Sequence, residues 1–555
     1  MTTTLPIETA SPPGATPERP PRRWLVLAAL CLSVFLIVVD NTIVNVALPT
    51  LVRELGATTS QLQWIVDAYT LVFAGLLLAA GSLGDRFGRK GALLVGLGLF
   101  AAFSWLASMA TSPEQLIAAR GAMGIGAALI FPATLALLVN VFTDPRERAT
   151  AIGIWAAVSG LSVALGPVTG GWLLEHFSWG SVFLVNLPIV VVAVVAVALL
   201  VPTSRDARVG RFDPLGLVLS IAGITVLVWA VIEGPHHGWT STTSLTAFTG
   251  AVVLLGSFVA WELRRPDPML DVRVFRNPRF TAGSVSVTFA FFALFGFVFM
   301  VTQYFQFVRG YGTLEAGLRT VPFALFTGVA APIAPKLAER FGTKGVVATG
   351  LVAMAVGFFF AARLGADSPY LMVVGSMFFM GGGLGLVNAP ATEAIMGSLP
   401  PAKAGVGSAV NDTTRELGGT LGVAVVGSVF ASVYGGRLGD ALAGQPIPEA
   451  AASAARESIG AAYAVAAQAP PPFADALRSV ARSAFMDGFS AGSLIAAGVV
   501  LAGAVLALAF LPARAETPVV DVDGADDGDG LPAPIPAPIP ALLLGAPALA
   551  PEGVA

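Results

Sequence analysis

Two acids and one base lie in stretches too apolar for them. Asp40, Asp67 and Arg120 each fall in a run of Leu, Val, Ala, Ile, Phe and Gly. A charge inside lipid costs ~2.5–3.5 kcal/mol even on insertion scales, so it must face a cavity or a partner. Burial favours the neutral form of a carboxyl, and a neighbouring Arg favours the charged form. That competition suits a carrier that takes up a proton on one side of a membrane and releases it on the other. The expected roles are therefore Asp40 as main proton site, Arg120 as its modulator, and Asp67 as a second proton or cation site. Structural roles are the alternatives: Asp40 bonded to Asn41 or Asn45, Asp67 interfacial beside Trp64 and Tyr69, and Arg120 tied to backbone carbonyls. Asn45 is a cavity candidate on the same run as Asp40. Asp412, Arg415 and Glu416 form a second set, whose i+3 and i+4 spacings place them on one helix face. Their net charge of −1 suits a cationic substrate; a self-satisfied cluster near the inner interface is the alternative.

Other chemistries find no support. The three histidines, His176, His236 and His237, form no HExxH pattern and no Cys/His ligand set, so no metal is expected. The one cysteine, Cys31, cannot pair within the chain. No GxxxxGK[ST] sequence occurs, so ATP hydrolysis is not expected and coupling comes from an ion gradient or from none. No cofactor is implied, and no nucleophile–base constellation suggests an enzyme. A net charge of −3 gives no nucleic-acid footprint.

The elements that must position the charges are membrane helices. Charged residues make up 12% of the 555 and hydrophobic residues 55%, against roughly 25% charged in soluble proteins. Apolar runs long enough to cross ~30 Å of hydrocarbon recur along the chain. Fourteen can be delimited, from residues 24–49 to 491–511, including 64–83, 116–139, 154–174, 182–201, 215–232, 245–263, 321–337 and 405–433. With the N-terminus inside, 21 of the 31 Lys and Arg fall in inner segments, eight in outer ones and two within spans. This asymmetry supports fourteen spans with both termini cytoplasmic.

One loop occurs twice. Gly81-Ser-Leu-Gly-Asp85-Arg86-Phe-Gly88-Arg89-Lys90 follows the second run, and Pro335-Lys-Leu-Ala-Glu339-Arg340-Phe-Gly-Thr-Lys344 follows the tenth. Two copies imply two related halves, a known transporter plan. At these residues the chain resembles the major facilitator superfamily. The resemblance implies an inside gate in which the acid caps a neighbouring helix and pairs with the basic residues. Pro335 and Glu339 depart from the pattern in the second copy. Arg120-Gly-Ala-Met-Gly124 resembles the family's buried-arginine motif. Ser162-Val-Ala-Leu-Gly166-Pro167-Val-Thr-Gly170-Gly171 is similar to its antiporter motif, with Ser162 where Gly is usual. Asp40-Asn-Thr-Ile-Val-Asn45-Val-Ala-Leu-Pro49 resembles the signature of the fourteen-span drug:proton antiporters, which the two extra central runs also fit.

The expected architecture is an all-α polytopic membrane protein of the major facilitator fold. It has a disordered N-terminus (1–23), a six-helix bundle (24–202), two extra helices with linkers (203–279) and a second six-helix bundle (280–511). A long outer loop (434–489) and a disordered Pro/Ala/Asp-rich tail (512–555) complete it. The expected function is proton-driven efflux of hydrophobic, cationic small molecules by alternating access across a bacterial plasma membrane, performed by a monomer. Export of an endogenous metabolite or lipid, and a non-transporting membrane sensor, are the alternatives.

Overall fold

The computed structural model describes residues 23–204, 213–266, 268–399, 404–445 and 447–512. Nearly all of the terminal segments expected to be disordered thus lie outside the described residues. The first half consists of α1 (Arg23–Leu55), α2 (Thr59–Phe87), α3 (Arg89–Ser108), α4 (Pro113–Val141), α5 (Pro145–His176), α6 (Ser181–Leu184) and α7 (Asn186–Leu200). Then come α8 (Pro214–Ile232), α9 (Gly234–His237) and α10 (Thr242–Arg264). The second half holds α11 (Pro278–Gln303), α12 (Thr313–Leu318), α13 (Val321–Ala330), α14 (Ala334–Phe341), α15 (Thr343–Ala361) and α16 (Tyr370–Met396). It closes with α17 (Ala404–Leu442), α18 (Glu449–Glu457), α19 (Ile459–Ala467) and α20 (Pro471–Phe510).

Twelve of these helical elements are long and apolar enough to cross a membrane, and thirteen if α12–α14 count as one span. The remaining apolar run, 64–83, lies on α2, a 29-residue helix. The run at 321–337 is not straight: the pieces 313–330 and 334–341 meet at 45°. Pro332 interrupts the run, and Pro335 starts the next piece at its first turn. The outer loop is also shorter than 434–489, because α17 continues to Leu442 and α20 begins at Pro471. Between them, α18 and α19 bury Ala452, Ala455, Ile459, Ala462 and Ala466.

The halves repeat in packing as well as in sequence. Gly88 and Gly342 both break their helices at positive φ, 113° and 85°, a region that only glycine enters without strain. Gly96 of α3 faces Gly126 of α4; a Cβ on either would come within 3 Å of the other's carbonyl oxygen. Gly350 of α15 and Gly383 of α16 meet the same way. Both first members recur 254 positions later (88 to 342, 96 to 350).

The lobes join at the end where α1 turns into α2, the outer end in the orientation given by the Lys/Arg distribution. Gln63 donates to the carbonyls of Val423 and Ala424 (3.1 and 2.9 Å) and to Ser428 Oγ (3.3 Å). Thr70 and Thr420 share a hydroxyl contact of 2.9 Å. On the opposite side, Thr313 Oγ1 donates to the Gly171 carbonyl (2.9 Å), and Gly317 lies against Pro167. Helix α8 covers the α2–α17 seam with Val228, Val231 and Ile232 against Leu71 and Ala424. Ser428 also donates to the Val231 carbonyl at 2.8 Å.

A Cβ at Gly171 would collide with the Thr313–Leu314 backbone. Overpacking of this kind costs about 1–3 kcal/mol, so Gly171→Val should raise the outward-open population about tenfold. In a Cys31→Ser background, a cysteine at Val46 should be labelled correspondingly faster by an impermeant maleimide added outside.

Candidate functional site

The placement of Asp40 and Arg120 starts at helix ends. Ser112 caps α4 by accepting the Gln115 N–H, with Pro113 at the first turn. Thr58 and Gln61 cap α2 reciprocally. Two turns into α4, Arg120 reaches back to both α1 and α2. Its Nη1 donates to Asp40 Oδ2 at 2.5 Å, and its Nε donates to the Ile65 carbonyl at 3.2 Å. Its guanidinium lies 4.2 Å from the centre of the Tyr69 ring. Both members of the ion pair are 0% exposed. Arg120 thus makes both the carboxylate contact and the carbonyl tie weighed for it.

The second oxygen of Asp40 is held by Asn186 at the start of α7, whose Nδ2 donates at 2.7 Å. Neither Asn41 nor Asn45 holds Asp40: Asn45 donates to the Asn41 carbonyl (3.1 Å), within its own helix. Asn186 was not expected from the sequence. Its signal was an amide in a run of Val, Leu and Ile, where a neutral polar group is less costly than a charge. Asp67 is 0% exposed, and neither of its oxygens has a hydrogen-bond partner. It lies one turn from both Gln63 and Thr70, so it belongs to the face of α2 that forms the lobe seam.

The second candidate set assembles across α16 and α17. Arg415 Nη2 donates to Asn388 Oδ1 (2.7 Å) and Thr392 Oγ1 (3.1 Å), and its Nη1 lies 3.9 Å from Asp412. Asn411 Nδ2 donates to Asp412 Oδ1 at 3.3 Å. The Arg415 guanidinium is 5.4 Å from the Phe291 ring centre. Glu416 keeps one buried oxygen, Oε2, without a partner. Asn388 and Thr392 complete a cluster of which only the α17 members were expected.

The two copies of the repeated loop are similar but not equal. Arg89 Nη1 donates to Ser204 Oγ (3.3 Å), and its backbone N–H to the Ser204 carbonyl (2.9 Å). Lys90 donates to the Ala198 carbonyl at 2.9 Å. Arg86 and Arg340 lie over the neighbouring Phe87 and Phe341 rings, at 5.6 and 5.3 Å. Gly81 lies opposite Pro132 of α4, and Glu339 is exposed. The Asp85 side chain lies outside the described residues. In the α5 motif, Gly166 and Gly170 sit against Thr42 and Ile43 of α1, and Gly171 against Thr313 of the other lobe. Ser162 is buried and donates to the Val158 carbonyl at 2.7 Å.

Residues 30–423 match the model of the Major Facilitator Superfamily. The chain belongs to the major facilitator superfamily. It is 41% identical over 497 residues to the multidrug efflux pump LfrA of Mycolicibacterium smegmatis, covering 89% of this chain and 98% of that protein. It is 36% identical over 504 residues to the methyl viologen resistance protein SmvA of Salmonella typhimurium (89% and 99%). It is 34% identical over 495 residues to the tetracenomycin C resistance and export protein of Streptomyces glaucescens (88% and 91%). A bacterial homologue of the lysosomal transporter Spinster shares the fold, with a TM-score of 0.62 at 18% identity over 88% of this chain and 98% of that one. The chain is a multi-pass membrane transporter, not an enzyme.

Removing one partner of a buried ion pair strands the other, at a cost of about 3–5 kcal/mol. Arg120→Leu should therefore lower the thermal stability of the purified protein sharply. Adding Asp40→Asn to that variant should recover most of the loss, as read by melting in detergent.

Proposed function

We propose that this chain exports hydrophobic, positively charged small molecules in exchange for protons, by alternating access across a bacterial plasma membrane. The observation that carries the reading is the fully buried Asp40–Arg120 pair on helices of one lobe. With Asp40 charged the pair is neutral. When Asp40 takes a proton, the Arg120 charge is left uncompensated, and it repels a cation held between Asp40 and the Glu416 cluster, both of which lie within electrostatic reach of Tyr69. Proton and cationic cargo then exclude one another, which is the coupling an exchanger needs. Asp67 acts as a second proton carrier: an unpartnered charge at its site would cost several kcal/mol, and a proton removes it. Asp412 and Glu416 supply negative charge for the cargo in the second lobe, partly offset by Arg415. Asn45 borders the same path.

This reading takes the chain as fourteen spans, with α2 as the one beyond the thirteen, both termini cytoplasmic and the monomer as the working unit. The loops around Asp85–Lys90 and Glu339–Arg340 act as inner latches. The proton gradient is the energy source, and no cofactor takes part. The name of SmvA, a methyl viologen resistance protein, fits a cationic cargo, and that of LfrA, a multidrug efflux pump, fits drug export. One observation favours lipid export instead: a groove of about 570 Å³ between α1 and α5, lined by apolar residues such as Trp24, Leu32, Phe35 and Ile154.

In a pump-deficient host, the wild-type chain should lower ethidium accumulation, and a protonophore should abolish the effect. Asp40→Asn should accumulate dye like the empty vector. Undiminished protonophore-sensitive efflux by Asp40→Asn would remove Asp40 from the mechanism. Glu416→Gln should weaken efflux of cationic dyes about tenfold while sparing neutral cargo, given the ~1–2 kcal/mol worth of a partly screened charge pair.

A further inference from the structure

Beside the ion pair the sixth span carries a hydrogen-bond chain. Helices α6 and α7 run on from one another through Val185, which keeps helical φ and ψ of −60° and −25°. The Phe183 carbonyl accepts the Ser104 hydroxyl at 2.8 Å. Ser104 Oγ accepts one N–H of Asn186 at 3.0 Å, and Asp40 Oδ1 accepts the amide nitrogen's other hydrogen at 2.7 Å. Asp40, Ser104 and Asn186 are each 0% exposed. Both amide hydrogens are thus used, while the amide oxygen Oδ1 is buried without any partner. A buried acceptor left unpaired calls for an explanation.

The inventory of donors and acceptors provides one. A carboxylate only accepts, whereas a carboxylic acid must also donate. Arg120 carries donors and no acceptor, so it can hold only the charged form of Asp40. Of the two side chains bonded to Asp40, Asn186 alone carries both kinds of group. Its terminal torsion is soft and roughly two-fold. Turning the amide over brings Oδ1 to the acid O–H, and the Ser104 hydroxyl can swing from the Phe183 carbonyl to the same oxygen.

We propose that Asn186 is a two-state positioning residue, holding the Asp40 carboxylate by its N–H and the Asp40 acid by its carbonyl, with Ser104 as pivot. One proton is added to a carboxylate oxygen. Arg120 stays protonated, no other bond changes, and the site gains one positive charge. The ionisable groups facing Asp40 are Arg120 of α4 and Tyr69 of α2, whose phenol also lies within electrostatic reach of Glu416 of α17. Helix α7 carries no ionisable residue, and α5 and α11 carry them only near their ends. Asn186 thereby keeps Asp40 in place while Arg120 lets go. This inference rests on Asp40 being the proton site.

The test is an infrared pH titration of the purified full chain, with the Asp40 band taken as the acid C=O stretch lost in Asp40→Asn. In Asn186→Leu, that stretch should move to higher frequency, because the acid O–H has lost its acceptor. The midpoint should rise by about one pH unit, since a bond to a charged acceptor outweighs a neutral one. Asn186→Gln, which keeps the amide, should return both towards wild type. If Asn186→Leu fails to fold, Asn186→Ala is read the same way. An unchanged midpoint and band with reduced efflux would overturn the proposal in favour of a merely structural Asn186. A shifted midpoint with an unmoved band would overturn the amide turn. A wild-type titration with no band dependent on Asp40 would instead sink the proton-site reading.

Discussion

A carboxylate and a guanidinium touch where neither meets solvent, inside a chain whose other groups at that depth are mostly hydrocarbon. The cost of removing two charges from water is recovered only if both are well paired and their remaining hydrogen-bonding groups are satisfied. That requirement shapes the first lobe, where only Arg120 Nη2, in the guanidinium over the Tyr69 ring, is left of the pair's atoms without a hydrogen-bond partner. Helix α4 brings Arg120 within reach of α1 and α2, and α2 supplies both the Ile65 carbonyl and the Tyr69 ring. Asn186 of the sixth span takes the second oxygen of Asp40. The glycines of α5 let α1 lie close enough for this geometry to hold.

The lobes share a backbone plan but not its charges. Glycine breaks and glycine crossings recur in both. Helix α11, the second lobe's counterpart of α1, carries no ionisable residue in its interior. The second lobe places its charges on α17 instead, among amides and a Thr on α16. Each lobe nevertheless holds two acids and one Arg, and in each the acid beyond the pair, Asp67 or Glu416, keeps buried oxygen without a partner. The seam between the lobes is made of neutral bonds, Gln63 to backbone and Thr70 to Thr420, which can break without stranding a charge.

Much of this was legible because lipid is an exacting solvent. An ionisable residue in an apolar run advertises itself by its cost, so Asp40, Asp67, Arg120 and the Asp412 cluster could be named from residue type and spacing. The repeated loop showed two halves before any helix was placed. Asn186 and Ser104 were not legible, because neutral polar residues are tolerated in membrane helices without a partner that sequence can name. The bend before α14 lies at Pro332 and Pro335, but membrane helices tolerate proline, so the residues alone did not fix a break there. The bounds of α18 and α19 within the Ala-rich loop were not legible, because such short helices match no twenty-residue pattern.

Substrate-triggered proton release tests the central claim most directly. Purified protein in weakly buffered detergent, with a pH-indicating dye, should release protons when ethidium is added. The Asp40→Asn protein, shown to bind ethidium, should release markedly fewer. Equal release from the two proteins would mean that cargo and proton do not compete through Asp40, and would contradict its role as the coupling site.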